Sequence, residues 1–424
     1  MDRLAWLTLL CLAATAGLGD IAEFNPVATL VLNTVHALLP LAIVLALCSA
    51  VRNRRWPRFP SALALPSAVW LTVLVASAIN AAQFQAEAIA ALARPASGLL
   101  LAWAVCDICG TQTRWRSLIQ ALALGGLAIA SIAIVEATRV QPLATWIAAV
   151  HDGEIPIGDV PRVAATLSHP NEAAMYLELC LPLLIASAWT AASRWRVPLA
   201  LGSLGALLAI AVTFSRAGIV AAVAALAVLG WVGIRRGPRP QVLLLGIVVL
   251  ALPLAFGWAS VMDPGLDHRL LAGLDESSLD QPSRTIFWST ALAMARDHPW
   301  LGAGLDNFRW LFPAYSGLSA NNLGIHAHDQ YLETLADTGI LGLASFGWLV
   351  TLLVLTAAKG VRHARSEWPW HAALLASLTA WLVHAVLDDF DRFWPTSVAF
   401  WLIVGLILCR PLVDRHVDQR LNIQ

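Results

Sequence analysis

Four groups of polar residues stand out because the chain around them is apolar. The first is Thr213-Phe214-Ser215-Arg216-Ala217-Gly218, a sharp turn between two hydrophobic runs. A guanidinium stays charged and matches phosphate oxygens two at a time, so Arg216 reads either as an anion clamp or as a helix-end arginine paired to a lipid headgroup. The second is His326-Ala327-His328-Asp329-Gln330-Tyr331-Leu332-Glu333. Histidine exchanges a proton near neutral pH, which suits a general base, and nearby arginines would lower its pKa and keep it neutral. The same stretch also reads as a polar helix start, with Asp329 at the positive end of the helix. A metal held by His326 and His328 lacks a third ligand that can be named. The third group, Asp388, Asp389 and Asp391, reads chiefly as a solvated turn at a helix end, with Asp389 as a supporting candidate. In the fourth, His169-Pro170-Asn171, proline marks a first helical position, which leaves His169 and Asn171 unexplained. Arg162 and Arg94 are further polar residues without an evident partner.

The elements that position these residues follow from composition. Of 424 residues, 58% are hydrophobic and 13% charged, against about 45–50% and about 25% in soluble domains. A soluble globule of this composition would expose large apolar patches, and a disordered chain would have far less to bury. Lys+Arg and Asp+Glu balance at 27 each, so there is no basic footprint for nucleic acid. Cys106 and Cys109 form a CxxC without a second ligand pair, which leaves them as small apolar residues. The fold class is therefore an all-α polytopic membrane protein.

A spanning helix needs roughly 20 apolar residues, and the chain offers twelve candidates. The first nine are Leu4–Gly19, Val27–Val51, Ser61–Ala81, Ala88–Ile108, Ser117–Ala137, Ala173–Ala192, Val197–Phe214, Ala217–Ile234 and Val242–Ser260; the last three are Gly339–Ala358, His371–Val386 and Pro395–Cys409. With the N-terminus in the cytoplasm, the arginine clusters at 52–58, 114–116, 194–196, 235–239, 362–365 and 410–420 all fall on inner segments, as the positive-inside rule requires. Both termini are then cytoplasmic, and residues 1–424 form a single integral membrane domain. Two outer segments remain, Thr138–Glu172 and the large loop over residues 261–338, inserted between the ninth and tenth spans. A long loop of this kind is usually functional. Within it, Ser283 is placed to cap an amphipathic helix carrying Arg284, Trp288 and Ala291 on one face, ended by Pro299, Gly302 and Gly304; its tryptophans suit a membrane interface.

These residues resemble the O-antigen ligase and polymerase superfamily. The most specific match is His328-Asp329 followed, after nine residues, by Gly339-Ile340-Leu341-Gly342. Asp329 stands where the family usually has Asn, Ser or Gln. The other matches, in order, are His169-Pro170-Asn171, Ser215-Arg216-Ala217-Gly218, Arg284 with Trp288, and His298-Pro299-Trp300-Leu301-Gly302-Ala303-Gly304. The resemblance implies a GT-C-like membrane glycosyltransferase on the periplasmic face of the Gram-negative inner membrane. It implies an undecaprenyl-diphosphate-linked O-antigen as donor and a sugar of the lipid A core oligosaccharide as acceptor, both among membrane lipids. It also implies an inverting displacement without metal or cofactor, Arg216 and Arg284 on the diphosphate, and His328 activating the acceptor; His326, Asp329, Arg162, His169, Asn171 and Asp389 are supporting candidates. A polymerase or a protein O-oligosaccharyltransferase shares the donor chemistry, and a transporter of an anionic solute would also use intramembrane arginines.

Overall fold

The computed structural model describes residues 1–18, 24–27, 30–32, 34–54, 61–140, 156–157, 160–236, 284–318, 325–389 and 392–421. The described residues are helical apart from two short antiparallel hairpins, β1 (Phe24–Val27) with β2 (Leu30–Leu32) and β3 (Pro156–Ile157) with β4 (Val160–Pro161). The first helices are α1 (Asp2–Thr15), α2 (Thr34–Arg52), α3 (Ser61–Asn80), α4 (Gln85–Ala91), α5 (Ala93–Ile108) and α6 (Gln112–Thr138). Then come α7 (Pro170–Thr190), α8 (Ser193–Val212), α9 (Arg216–Arg236), α10 (Arg284–Asp297), α11 (Phe308–Ser316), α12 (Gln330–His363), α13 (Trp368–His384) and α14 (Trp394–Leu421).

Eight of the described helical stretches are long and apolar enough to cross a membrane, which is consistent with a polytopic membrane protein. Three further expected spans coincide with the shorter helices α1 and α13 and the apolar stretch Trp394–Cys409 of α14. The expected span Val242–Ser260 lies outside the described residues, as does Ser283. Three boundaries differ from the sequence reading. The second span starts at Thr34, because residues 24–32 form the first hairpin. The fourth starts at Gln85 and is interrupted at Leu92. The tenth is preceded by a helical segment from Gln330 and is separated from it by a break at the expected start, Gly339; Asp329 caps that earlier segment by accepting hydrogen bonds from the Tyr331 and Leu332 amides, both at 2.9 Å.

α7 is the centre of the bundle. Nearly all of its residues are buried, against between a third and just over half in the other spanning stretches, and it packs against α6, α8, α9 and α13. α13 in turn packs on α9 and α12. The Gln330 amide donates to the Ala385 carbonyl at 2.9 Å, and the Tyr331 hydroxyl to the Leu382 carbonyl, also at 2.9 Å. These bonds hold the start of α12 against the end of α13 and so bring the chain around 328 next to that around 388.

α12 is broken at Gly339, whose backbone (φ 65°, ψ −169°) is a glycine conformation. The break frees carbonyls and amides that the loop from Pro299 to Gly304 satisfies. Ala303 and Gly304 donate to the carbonyls of Ala336 and Asp337, while Ile340 and Leu341 donate to those of Pro299 and Trp300. The two backbones approach so closely that a Cβ on Gly339 would lie 2.4 Å from the Trp300 carbonyl, and one on Gly302 2.1 Å from that of Asp337. The His298–Gly304 motif and the glycine after His328 are thus two halves of one backbone contact. Gly339→Ala combines this clash with backbone strain on the order of 1–3 kcal/mol. It is expected to lower the unfolding temperature measured in detergent, and an unchanged temperature would refute the contact.

Candidate active site

The polar residues of the sequence reading meet at one end of the bundle. His328 lies in the segment leading into α12, in a left-handed conformation (φ 49°). Its Nδ1 is 3.0 Å from Asp388 Oδ1, and the ring packs 5.4 Å from that of Phe287. Asp388 follows the end of α13 and is buried. It also accepts a hydrogen bond from Asn171 Nδ2 at 2.8 Å. Burial raises the Asp388 pKa, but the hydrogen bond and charge of His328, the charge of His384 and the Asp389 amide outweigh it and hold the carboxyl below its usual range. In a neutral imidazole, an ionised Asp388 would hold the proton of His328 on Nδ1 and leave the lone pair on Nε2; about a third of the side chain is exposed.

Asn171 sits in the first turn of α7. His169 caps that helix by accepting the Asn171 amide on Nδ1 at 3.0 Å, Pro170 follows, and Glu172 Oε2 accepts from the Ser168 amide and hydroxyl. Burial, reinforced by Arg162, lowers the His169 pKa to about 4. His169 is therefore neutral with Nδ1 occupied, and Nε2–H is left as a hydrogen-bond donor rather than a base. The Asn171 carbonyl oxygen accepts from Arg162 Nη2, and Arg162 Nε donates to the Thr213 carbonyl at 2.8 Å. One guanidinium thus ties the His328–Asp388 pair to the turn that presents Arg216.

Arg216 begins α9. Ser215 caps this helix through Oγ, which accepts from the Gly218 amide at 3.2 Å, and Arg216 itself is exposed. Arg284 begins α10, one turn before Phe287. Burial and the neighbouring Arg216 lower its pKa, while Asp388 opposes them. The same charges act on Arg162, lowered to about 10 chiefly by burial. Arg216, Arg284, Arg162, Asp388, His169 and His328 are therefore one electrostatic neighbourhood. Neither Arg216 nor Arg284 makes a hydrogen bond or ion pair with another described residue; they interact with each other and Arg284 with Asp388 through charge alone.

The other candidates fall into structural places. Asp329 caps α12 rather than contacting His328. His326 is buried between Glu333 (2.5 Å) and Asp389 (3.3 Å). Burial opposes its protonation, but these two carboxylates raise its pKa to about 10. It is thus an imidazolium holding the loop to α12. The ligand atoms of Asp306, His326 and Glu333 lie within 4.8 Å of one another; this group does not include His328, so it is not the pair considered from the sequence. The aspartate cluster is not a solvated turn. Asp388 and Asp389 are both buried and face different histidines, and Asp391 lies outside the described residues. The sequence reading missed Asp388 as the partner of His328. The available signal was a run of acids in an otherwise apolar chain on the same side as the base.

Residues 201–347 match the model of the O-antigen ligase family. The match supports the O-antigen ligase superfamily and spans Arg216, Arg284 and His328. Arg162, His169, Asn171 and Asp388 lie outside the matched segment; Arg162 bonds to Thr213 and Asp388 to His328, both inside it. The chain is also similar to a chain in a solved structure described as "Structural coordination of polymerization and crosslinking by a peptidoglycan synthase complex", with 17% identity and a TM-score of 0.46, covering 84% of this chain and 98% of that one. No curated protein matches.

Proposed function

We propose that this protein is an O-antigen ligase that transfers a glycan from undecaprenyl diphosphate to a sugar hydroxyl of the lipid A core, at the periplasmic face of the Gram-negative inner membrane. The observation that carries the reading is the convergence of two arginines lacking carboxylate partners with a histidine whose tautomer a buried aspartate fixes. A lipid diphosphate is a good leaving group and needs no general acid. Its departure develops negative charge, which Arg216 and Arg284 stabilise. The acceptor oxygen attacks the anomeric carbon as the bond to the diphosphate breaks, and its proton passes to His328 Nε2. The resulting imidazolium is stabilised by Asp388. A single displacement of this kind inverts the anomeric centre. His169 offers its Nε2–H to an oxygen of the bound diphosphate, and the lipid tails hold both substrates in the plane of the bilayer. No step requires a metal or cofactor.

The test is transfer by the purified protein, with undecaprenyl-diphosphate-linked O-antigen, lipid A core and EDTA. Movement of glycan onto the core is the expected result. Longer lipid-linked chains with an untouched core would replace the ligase reading with a polymerase, and dependence on an added divalent ion would overturn the metal-free chemistry.

A further inference from the structure

A cavity of about 70 Å³ lies between α3, the junction of α4 with α5, and α12. The cavity reaches the ion pair that holds the loop just before the base. Glu333 and Asp389 line the cavity and are the two partners of His326, two residues before His328, while Asp389 directly follows Asp388. Gln330 and Thr334 add an amide and a hydroxyl to that wall. α5 contributes Arg94, whose guanidinium lies 5.9 Å from the centre of the Trp394 ring and makes no ion pair with a described residue. Trp70 and Phe346 supply an apolar surface, their ring centres 5.9 Å apart.

Three classes of occupant follow from such a lining, and two of them fit poorly. A lipid tail gains nothing from carboxylates and a cation. A diphosphate would meet four carboxylates, Asp306, Glu333, Asp337 and Asp389, against the single guanidinium of Arg94. A sugar ring uses everything present, because its hydroxyls both donate to carboxylates and accept from a guanidinium or amide, and its apolar face packs on aromatic rings. We propose that this cavity is the acceptor subsite, holding a sugar ring of the acceptor glycan beside the base, with Arg94 as a specificity-determining contact. The proposal rests on the transfer reading given above.

The experiment uses full-length protein in detergent and reads two things. One is saturation-transfer NMR with free core oligosaccharide and no donor. The other is KM for acceptor and donor separately. Arg94→Gln removes the cation, and Ala91→Phe fills the cavity from the α4 side, where Ala91 lines it. The expected result is loss of the NMR contact and a rise of about tenfold or more in acceptor KM with donor KM unchanged, the signature of lost substrate binding. Arg94→Lys should restore part of the affinity. Acceptor KM within about twofold of wild type in Arg94→Gln, or a change confined to donor KM, would overturn the proposal; if Ala91→Phe does not fold, Arg94→Gln decides alone. If wild type binds the oligosaccharide, the variants do not and no transfer occurs, the transfer reading fails while the subsite stands.

Discussion

His328→Ala should lower kcat by about 10²–10⁴-fold, the usual contribution of a positioned general base, with little change in donor affinity. Asp388→Asn should approach the same loss although it removes no atom from the reacting centre. An asparagine amide presents N–H groups where the carboxylate presents only lone pairs. The imidazole then turns its unprotonated nitrogen toward residue 388 and carries its proton on Nε2, where the acceptor hydroxyl must deliver one. In a serine protease the same exchange costs about 10⁴-fold in kcat for this reason. Asp389→Asn is the internal comparison. Asp389 faces His326 rather than His328, at 3.3 Å, so its loss should lower stability more than kcat. Steady-state kinetics of the three variants at saturating donor decide the matter. Equal kcat for Asp388→Asn and wild type would remove Asp388 from the mechanism.

Arg284→Ala should cost about 2.7–4 kcal/mol of transition-state stabilisation, the range measured for one fixed donor to a developing oxyanion elsewhere. The loss should appear in kcat and kcat/KM together, because the diphosphate charge is greater in the transition state than in the bound donor. Arg216→Ala should behave similarly, and the two should not be additive. The charge of Arg216 lowers the pKa of Arg284, so removing one cation relieves the repulsion between them. Arg284→Lys should recover only part of the rate, since an ammonium cannot contact two oxygens in a plane. A double-mutant cycle on kcat/KM measures the coupling. A purely additive result, or a loss seen only in donor KM, would place these arginines in ground-state binding alone.

The helices were legible because spanning segments must satisfy their backbone internally and carry long apolar runs. Eleven of the twelve expected segments fall on described helices with shifted ends, and Val242–Ser260 lies outside the described residues. Arg216, Arg284 and His328 stood out as candidates because charge in an apolar chain is costly and demands a reason. What could not be read was which neighbour meets which. Asp388 and Asp389 are adjacent, yet one orients His328 and the other neutralises His326; a sequence does not say which way each side chain points at a helix end. The earlier start of α12 was hidden because residues 330–338 are polar for a reason external to the helix, namely the buried contacts of Glu333 and Asp337. Asp337 accepts the amides of Asp306 and Phe308 at 2.8 and 2.7 Å, a long-range role that helical periodicity does not reveal.

The break in α12 also sets an order of assembly. Until the 299–304 loop docks, the carbonyls of Ala336 and Asp337 and the amides of residues 340 and 341 have no backbone partner, in surroundings where each such group costs several kcal/mol. The broken helix and the loop therefore form together or not at all. α10, which carries Arg284, leads through His298 into that loop, and the segment bearing His328 leads into the helix. The parts of the chain that carry Arg284 and His328 are thus one cooperative unit, and damage at this backbone junction would displace both residues at once rather than one at a time.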